Sequence, residues 1–293
     1  MIPWMQRTTF FERWSLRVVM VVLGVVMLFP FVYVLAVSLS SYPDVVGNNL
    51  IIFPRHPTLA AYTWVFQSTG VAQGFLISLF VAVVGTAVNI IMTATLAYGL
   101  SCKNVPASRV ILWMVLITLL IAPSLITRYL VVRQLHMIDT LWSLIIPGAI
   151  APFNLIVLRQ FFMSIPDELI ESAKLDGAND AHILWHIVLP LSKASLAAIS
   201  LFYAVANWNS FFDATMFINS PQYYPLSVIL RLVVMQGGAL ESTSAMVDSG
   251  QVIPPDLTMQ MAVVVIATVP ILLVYPFLQK YFTKGVLTGS IKG

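Results

Sequence analysis

The sequence predicts an all-α polytopic membrane protein with six transmembrane helices, and three observations carry that prediction. The 293-residue chain is 59% hydrophobic and only 9% charged, where soluble domains carry about a quarter charged residues. Six apolar runs reach about the 20 residues a helix needs to cross a bilayer. Between the fourth and fifth lies one polar, acidic island, residues 163–192, rich in helix start and stop signals. The length rule for soluble domains does not apply to such a chain, so 1–293 reads as one membrane domain.

Residues Met1–Phe10 lack the apolar centre and small-residue cleavage site of a signal peptide, so the first span is expected to be retained. From Phe10 to Val18, apolar residues alternate with Glu12, Arg13 and Arg17, the pattern of an interfacial helix. Spans are expected at Val18–Leu39, Phe75–Leu100, Val110–Leu130, Leu141–Phe162, Leu196–Phe217 and Met259–Leu278. The connection Ser40–Gly74 holds Pro43, Pro54, Pro57 and Gly47 and reads as extended, with little helix. Pro147 and Pro152 interrupt the fourth span, so partner helices must satisfy the backbone groups they free.

The connection Ile218–Thr258 carries Pro221, Pro225, Gly237, Gly238, Gly250 and the Pro254-Pro255 pair. Loops this long usually have a task of their own. Its Tyr223-Tyr224 pair and apolar Leu226–Met235 run predict an ordered loop that faces a partner. With both termini inside, eleven of the fifteen basic residues fall in the cytoplasm, and only Arg55, Arg128, Arg133 and Arg231 fall outside. The positive-inside rule supports that orientation. It places 1–17, 163–192 and 280–293 in the cytoplasm and 218–258 outside.

The island has its own grammar. Ser164-Ile165-Pro166-Asp167 reads as a helix start, with a hydroxyl cap, a proline in the first turn and acids near the positive end. Gly177 supplies a left-handed stop, and Asn179 or Asp180 can cap a second short helix ending at Pro190. Two short helices joined at a glycine corner suit docking into a partner's groove better than they suit chemistry.

Several function classes find no support. No G-x-x-x-x-G-K-S/T phosphate loop occurs, so the chain is not expected to bind ATP itself. His182 and His186 share a helical face, but no third ligand is near and packing within the loop is the plainer account; no metal site is expected. Cys102 stands alone, without a disulfide partner. Scattered Ser, His and Asp residues form no nucleophile elbow. The net charge of +3 is explained by topology and points to no nucleic acid.

Polar residues inside the spans are Thr86, Asn89, Thr93 and Thr95 on the second, Asn154 on the fourth, and Asn207, Trp208, Asn209 and Asp213 on the fifth. Amides with aromatics suit a hydroxyl-rich ligand; interhelical hydrogen bonding is the plainer reading, and for the second span the favoured one. Spacing puts Asn209 and Asp213 on one helical stripe and Trp208 on the next, so these three are the candidate substrate path, with Asn207 bonding a neighbouring helix. An ion-coupled carrier needs an intramembrane charge, and Asp213 is its one candidate. A channel or scaffold without an ATPase is the other alternative.

Glu171-Ser172-Ala173, Asp176-Gly177-Ala178, Ile187 and Leu189-Pro190 resemble the EAA-loop signature of ABC-importer permeases, with Ser172 in place of the first alanine. The ending, with Lys284, Gly285, Gly289, Lys292 and Gly293, resembles the glycine-rich tail that contacts the ATPase subunits in that family. Leu201–Phe212 resembles the fifth-span segment of permeases for complex oligosaccharides, including pectic and alginate fragments. The resemblance implies the type I ABC importer fold of maltose-type carbohydrate permeases in the bacterial inner membrane, working by alternating access. It implies an EAA coupling helix seated on an ATPase. It further implies a second homologous permease, two ATPase subunits carrying ATP and Mg, and an extracytoplasmic solute-binding protein. Tyr223, Tyr224, Gly237 and Gly238 are then the candidate contacts to that binding protein.

Overall fold

The computed structural model describes residues 10–47, 50–68, 70–102, 105–121, 123–235 and 256–289; for 10–13, 42, 46, 47, 68, 256, 275 and 277–289 only the backbone is described. Every regular element among the described residues is helical. The chain divides into two compact units, Met1–Thr69 with Leu232–Ile266, and Gly70–Arg231 with Ala267–Gly293.

In the first unit, helix α1 (Phe10–Ser38) is unbroken despite Pro30. The predicted interfacial segment and first span are one helix, because no glycine or proline separates them. Its membrane-length stretch Trp14–Ser38 leaves its apolar surface unburied as far as Leu35. Only the C-terminal end packs, with Ala36, Val37 and Ile51 forming a small core. The connection that follows holds more helix than its prolines suggested: α2 (Tyr42–Gly47) and α3 (Ala60–Ser68). Pro43 sits in the first turn of α2, where a missing N–H does no harm. Side chains pin this connection. Ser38 Oγ lies 2.7 Å from Tyr62 Oη, and the Asp44 carboxylate accepts from His56 N at 3.0 Å.

The second unit is built on α4 (Val71–Ser101), a 31-residue helix. Then α5 (Ser108–Leu120) and α6 (Leu125–Gln134) stand where one span, Val110–Leu130, was expected. Pro123 explains the break, since it cannot donate and biases the residue before it away from helix. The expected fourth span is α7 (Trp142–Ile145), a tight turn through Gly148, and α8 (Pro152–Met163), with a 53° bend between the halves.

The island folds into α9 (Asp167–Leu175), α10 (Asp180–Ile183) and, through a π-helical turn, α11 (Leu189–Leu191). An 87° bend leads into α12 (Lys193–Trp208), and α13 (Phe211–Phe217) follows. The expected fifth span is therefore broken at Asn209-Ser210. Last come α14 (Leu226–Met235) and α15 (Asp256–Gly289), the latter containing Pro270 and Pro276. Among the described residues, three helices are single membrane-length pieces, and two bent pairs can each supply one more. The third expected span is shorter than that: α5 has 13 residues, about 20 Å of helix.

Candidate functional site

The island is locally determined. Pro166 occupies the N-cap of α9, while Ser164 closes the preceding helix through Oγ to the Phe161 carbonyl at 2.7 Å. The expected hydroxyl cap is thus one helix too early. Asp167 and Glu168 stand in the first turn and Lys174 in the last, each favourable in the helix field. At the other end Gly177 has φ +85°, its N–H donates to the Lys174 carbonyl at 3.1 Å, and Ala178 N donates to the Ala173 carbonyl at 3.0 Å. This is a Schellman stop, in which the left-handed residue falls to glycine.

Asn179 then caps α10, its side-chain oxygen accepting from His182 N at 2.7 Å. The helix does not end at Pro190. Proline leaves a carbonyl without its donor, and the chain takes a π turn over Leu184–Val188 before Leu189–Leu191. His182 and His186 stack with ring centroids 4.1 Å apart, both exposed. No group of three or more metal-ligating side chains occurs among the described residues.

One face of this loop is sunk into the fold. Ile183, Leu184 and Val188 share a core with Ala94, Ala97 and Tyr98 of α4 and Leu155, Leu158 and Phe162 of α8. Ile170, Ala173 and Ala178 pack against that core. The other face is presented outward: Glu171, Ser172 and Asp176 are exposed, and the Leu175 side chain is 89% exposed. Arg159 Nε donates to the Leu100 carbonyl at 2.9 Å, tying α8 to the end of α4. The loop and the long helix are thus mechanically continuous.

Deeper in the second unit, polar side chains answer the proline breaks. Asn89 Nδ2 donates to the Gly148 carbonyl at 2.7 Å, and Ala151 N donates to Tyr203 Oη at 2.9 Å. Tyr203 Oη also lies 2.7 Å from Thr93 Oγ1. Asn207 Nδ2 reaches Asn89 Oδ1 at 3.2 Å, and a Cβ at Gly85 would meet that same nitrogen at 2.7 Å. Glycine there is what lets α12 approach α4 so closely. Two hydrogen-bonded clusters, one around Asn89 and one around Tyr203, therefore join α4, α12 and the bent span between Pro147 and Pro152. All four side chains, Asn89, Thr93, Tyr203 and Asn207, are buried.

The candidate path residues are dispersed. Trp208 is buried, its Nε1 donating to the Ala267 carbonyl at 3.1 Å, edge-on to Phe75. It lines an apolar cavity of about 490 Å³ with Thr86, Ala204, Val205 and Pro270 among its neighbours. Asn209 is exposed and turns back to the Val205 carbonyl at 2.9 Å. Asp213 is half-buried and engaged by Arg128 of α6 through two contacts of 2.9 Å. The helix break means that Asn209 and Asp213 do not lie on one continuous stripe.

Asp139 makes a clamp. Its Oδ1 accepts from Asn219 N at 2.9 Å and Ser220 N at 2.8 Å, and Oδ2 meets Ser220 Oγ at 2.5 Å. Hydrogen bonds from Ser220, side chain first and then backbone, hold this carboxyl below the usual carboxylate range. The depressed value means the clamp is present above the unfolded carboxyl pKa and is lost as pH falls through the folded one, below about pH 4. Asp139→Asn should raise amide exchange at Asn219 and Ser220 roughly tenfold at neutral pH. Hydrogen–deuterium exchange, corrected for intrinsic rates, checks it, and wild type should move the same way once the pH falls through the titration of the folded carboxyl.

Tyr223 is exposed, and Tyr224 donates from Oη to the Asn219 carbonyl at 3.3 Å. The start of α14 folds back on its own chain, Leu226 N donating to Ser78 Oγ at 2.8 Å. Gly237, Gly238, Lys292 and Gly293 lie outside the described residues. So do the side chains of Lys284 and the surroundings of Gly285 and Gly289, where the backbone is helical to Gly289.

Residues 97–288 match the family described as the binding-protein-dependent transport system inner membrane component. The chain belongs to that family. A relative in Bacillus subtilis, the polygalacturonan/rhamnogalacturonan transport system permease protein YtcP, is 42% identical over 90% of this chain and 92% of its own. Protein LplC of the same organism is 43% identical, covering 92% of this chain and 91% of its own. A crystal structure of a bacterial ABC transporter involved in the import of the acidic polysaccharide alginate superimposes with a TM-score of 0.88. It covers 96% of this chain and 100% of the matched chain at 28% identity. The fold is therefore that of a type I importer permease, and this inner-membrane component is a transport subunit rather than an enzyme.

Within this permease, sequence spacing located the loop but missed Tyr203, Arg128 and Asp139. Tyr203 had a readable signal, since Pro147 and Pro152 called for buried donors and acceptors nearby. Arg128 and Asp139 had none, their partners lying 85 and 81 residues away.

Proposed function

We propose that this chain is one of two membrane subunits of an ATP-driven importer of oligosaccharides. Its partners are a second homologous permease, two ATPase subunits that hold ATP and Mg, and an extracytoplasmic solute-binding protein. Both termini lie in the cytoplasm, and transport proceeds by alternating access. The single observation that carries this reading is the two-faced loop 167–191. Its inner face is packed into α4 and α8 while Glu171, Ser172, Leu175 and Asp176 are offered outward. A loop built only to connect spans has no need of a rigid inner face, whereas a loop that transmits motion requires one. The outward face is where the ATPase seats, and the tail with Lys284, Gly285, Gly289, Lys292 and Gly293 contacts the same subunits.

Sugar as the cargo is supported by the oligosaccharide and polysaccharide transporters among its relatives and structural neighbours. The substrate path includes Trp208 and Asn209 at the end of α12. Tyr223 and Tyr224, with the Gly237-Gly238 segment, face the binding protein. The test is purification of the tagged chain from its native membrane under mild detergent. An ATPase subunit and a second permease in stoichiometric amount are the expected result. Recovery of this chain alone, still active in flux, would return it to the channel or carrier class.

A further inference from the structure

We infer that Arg128 is a specificity-determining residue for acidic sugar, its guanidinium exchanging the Asp213 carboxylate for a carboxylate of the passing oligosaccharide. The inference rests on the oligosaccharide reading above and names the charge class of its substrate. Arg128 Nη1 and Nη2 each lie 2.9 Å from a different Asp213 oxygen, so a carboxylate already sits on the fork two-pronged. That is the geometry in which arginine selects carboxylates. The fork has five N–H donors, and Asp213 uses two of them.

Exposure decides between a latch and a docking point. The two side chains are 29% and 24% exposed, so the pair is partly withdrawn from water yet still reached by it. A substrate carboxylate that takes the place of Asp213 keeps the guanidinium paired, so the exchange does not leave that charge without a partner. The surroundings suit a sugar acid. Phe217 lies under the guanidinium at 5.8 Å from its centroid, and Tyr129 stacks on Phe217 at 6.5 Å. Phe217 itself is fully buried and backs the guanidinium from inside the fold, so half-buried Tyr129 is the ring left beside the fork. Arg231 sits 5.1 Å over Phe211 at the start of the same α13. A polyanion drawn along α13 meets one arginine at each end, and exposed Asn209 stands just before it. Oligogalacturonates carry one carboxylate per sugar and match such a track; a neutral oligosaccharide gains nothing from it.

The experiment reconstitutes the complete complex in proteoliposomes. It measures uptake of trigalacturonate and of its fully methyl-esterified, uncharged form at equal concentration, together with complex yield. Wild type should prefer the acid, and Arg128→Gln should lower the acid-to-ester uptake ratio roughly tenfold. Arg128→Lys keeps the charge without the fork and should fall between the two. Asp213→Asn removes the competing carboxylate and should raise the ratio; if Arg128→Gln yields no complex, this variant decides. An acid-to-ester ratio that Arg128→Gln or Asp213→Asn leaves unchanged overturns the inference. So does equal wild-type uptake of both sugars, which leaves the oligosaccharide reading standing. Uptake of neither sugar overturns that reading and the inference with it.

Discussion

Glu171→Ala should leave the permease folded in the membrane yet separate ATP hydrolysis from sugar uptake. Glu171 is exposed on α9, so its removal costs the isolated chain almost nothing. In the proposed seat, an ATPase cleft with a basic residue opposite, the same carboxylate would become half of a buried pair. Breaking one side of such a pair costs about 3–5 kcal/mol. Complex yield after detergent extraction, or uptake per ATP where the complex survives, should fall by more than tenfold. Gly177→Val tests the corner by another route. A Cβ there meets nothing within 4 Å, so the penalty comes wholly from φ +85°, about 1–2 kcal/mol. That is enough to tilt α9 against α10 without unfolding the second unit. Normal recovery and normal uptake in both variants would mean that the acids merely keep the loop soluble.

The second large effect is expected at the two buried clusters. Asn89→Leu removes the donor to the Gly148 carbonyl and the acceptor for Asn207 together. Tyr203→Phe strips Ala151 N of its acceptor. Side-chain hydrogen bonds between membrane helices average only about 0.6 kcal/mol, because the unfolded helices find other partners. Here the partners are backbone groups at a proline break, which have no substitute in an apolar core, so the full cost of about 1–3 kcal/mol applies. Thermal denaturation in detergent should place both variants several degrees below wild type. Each variant removes two hydrogen bonds, Tyr203→Phe also taking the 2.7 Å contact with Thr93 Oγ1, so the two should fall by similar amounts. Melting temperatures equal to wild type would show that water satisfies the break instead.

What was legible in the sequence was what local chemistry determines. Gly177 and Asn179 announced the corner and the cap, because a left-handed stop and an Asx cap need particular residues at particular positions. The prolines at 147 and 152 announced the bent span for the same reason. The break at Asn209-Ser210 was not legible, since it carries neither glycine nor proline. There the Val205 carbonyl accepts both Asn209 N and the Asn209 side chain, and Phe211 N turns to the Asn209 carbonyl at 2.7 Å instead of continuing the ladder. Hydropathy also merged α5 and α6 into one span, because residues on both sides of Pro123 are apolar. The pairing of Arg128 with Asp213 is tertiary, and no spacing rule reaches it.

The central claim, that this chain carries sugar only when an ATPase works through loop 167–191, meets its most direct test in one flux measurement. Proteoliposomes holding the complete complex are given labelled oligogalacturonate with binding protein, with and without ATP on the cytoplasmic side. The account predicts uptake only when ATP and loaded binding protein are both present, and its loss in Glu171→Ala. Uptake that proceeds without ATP, or that Glu171→Ala leaves untouched, would contradict it.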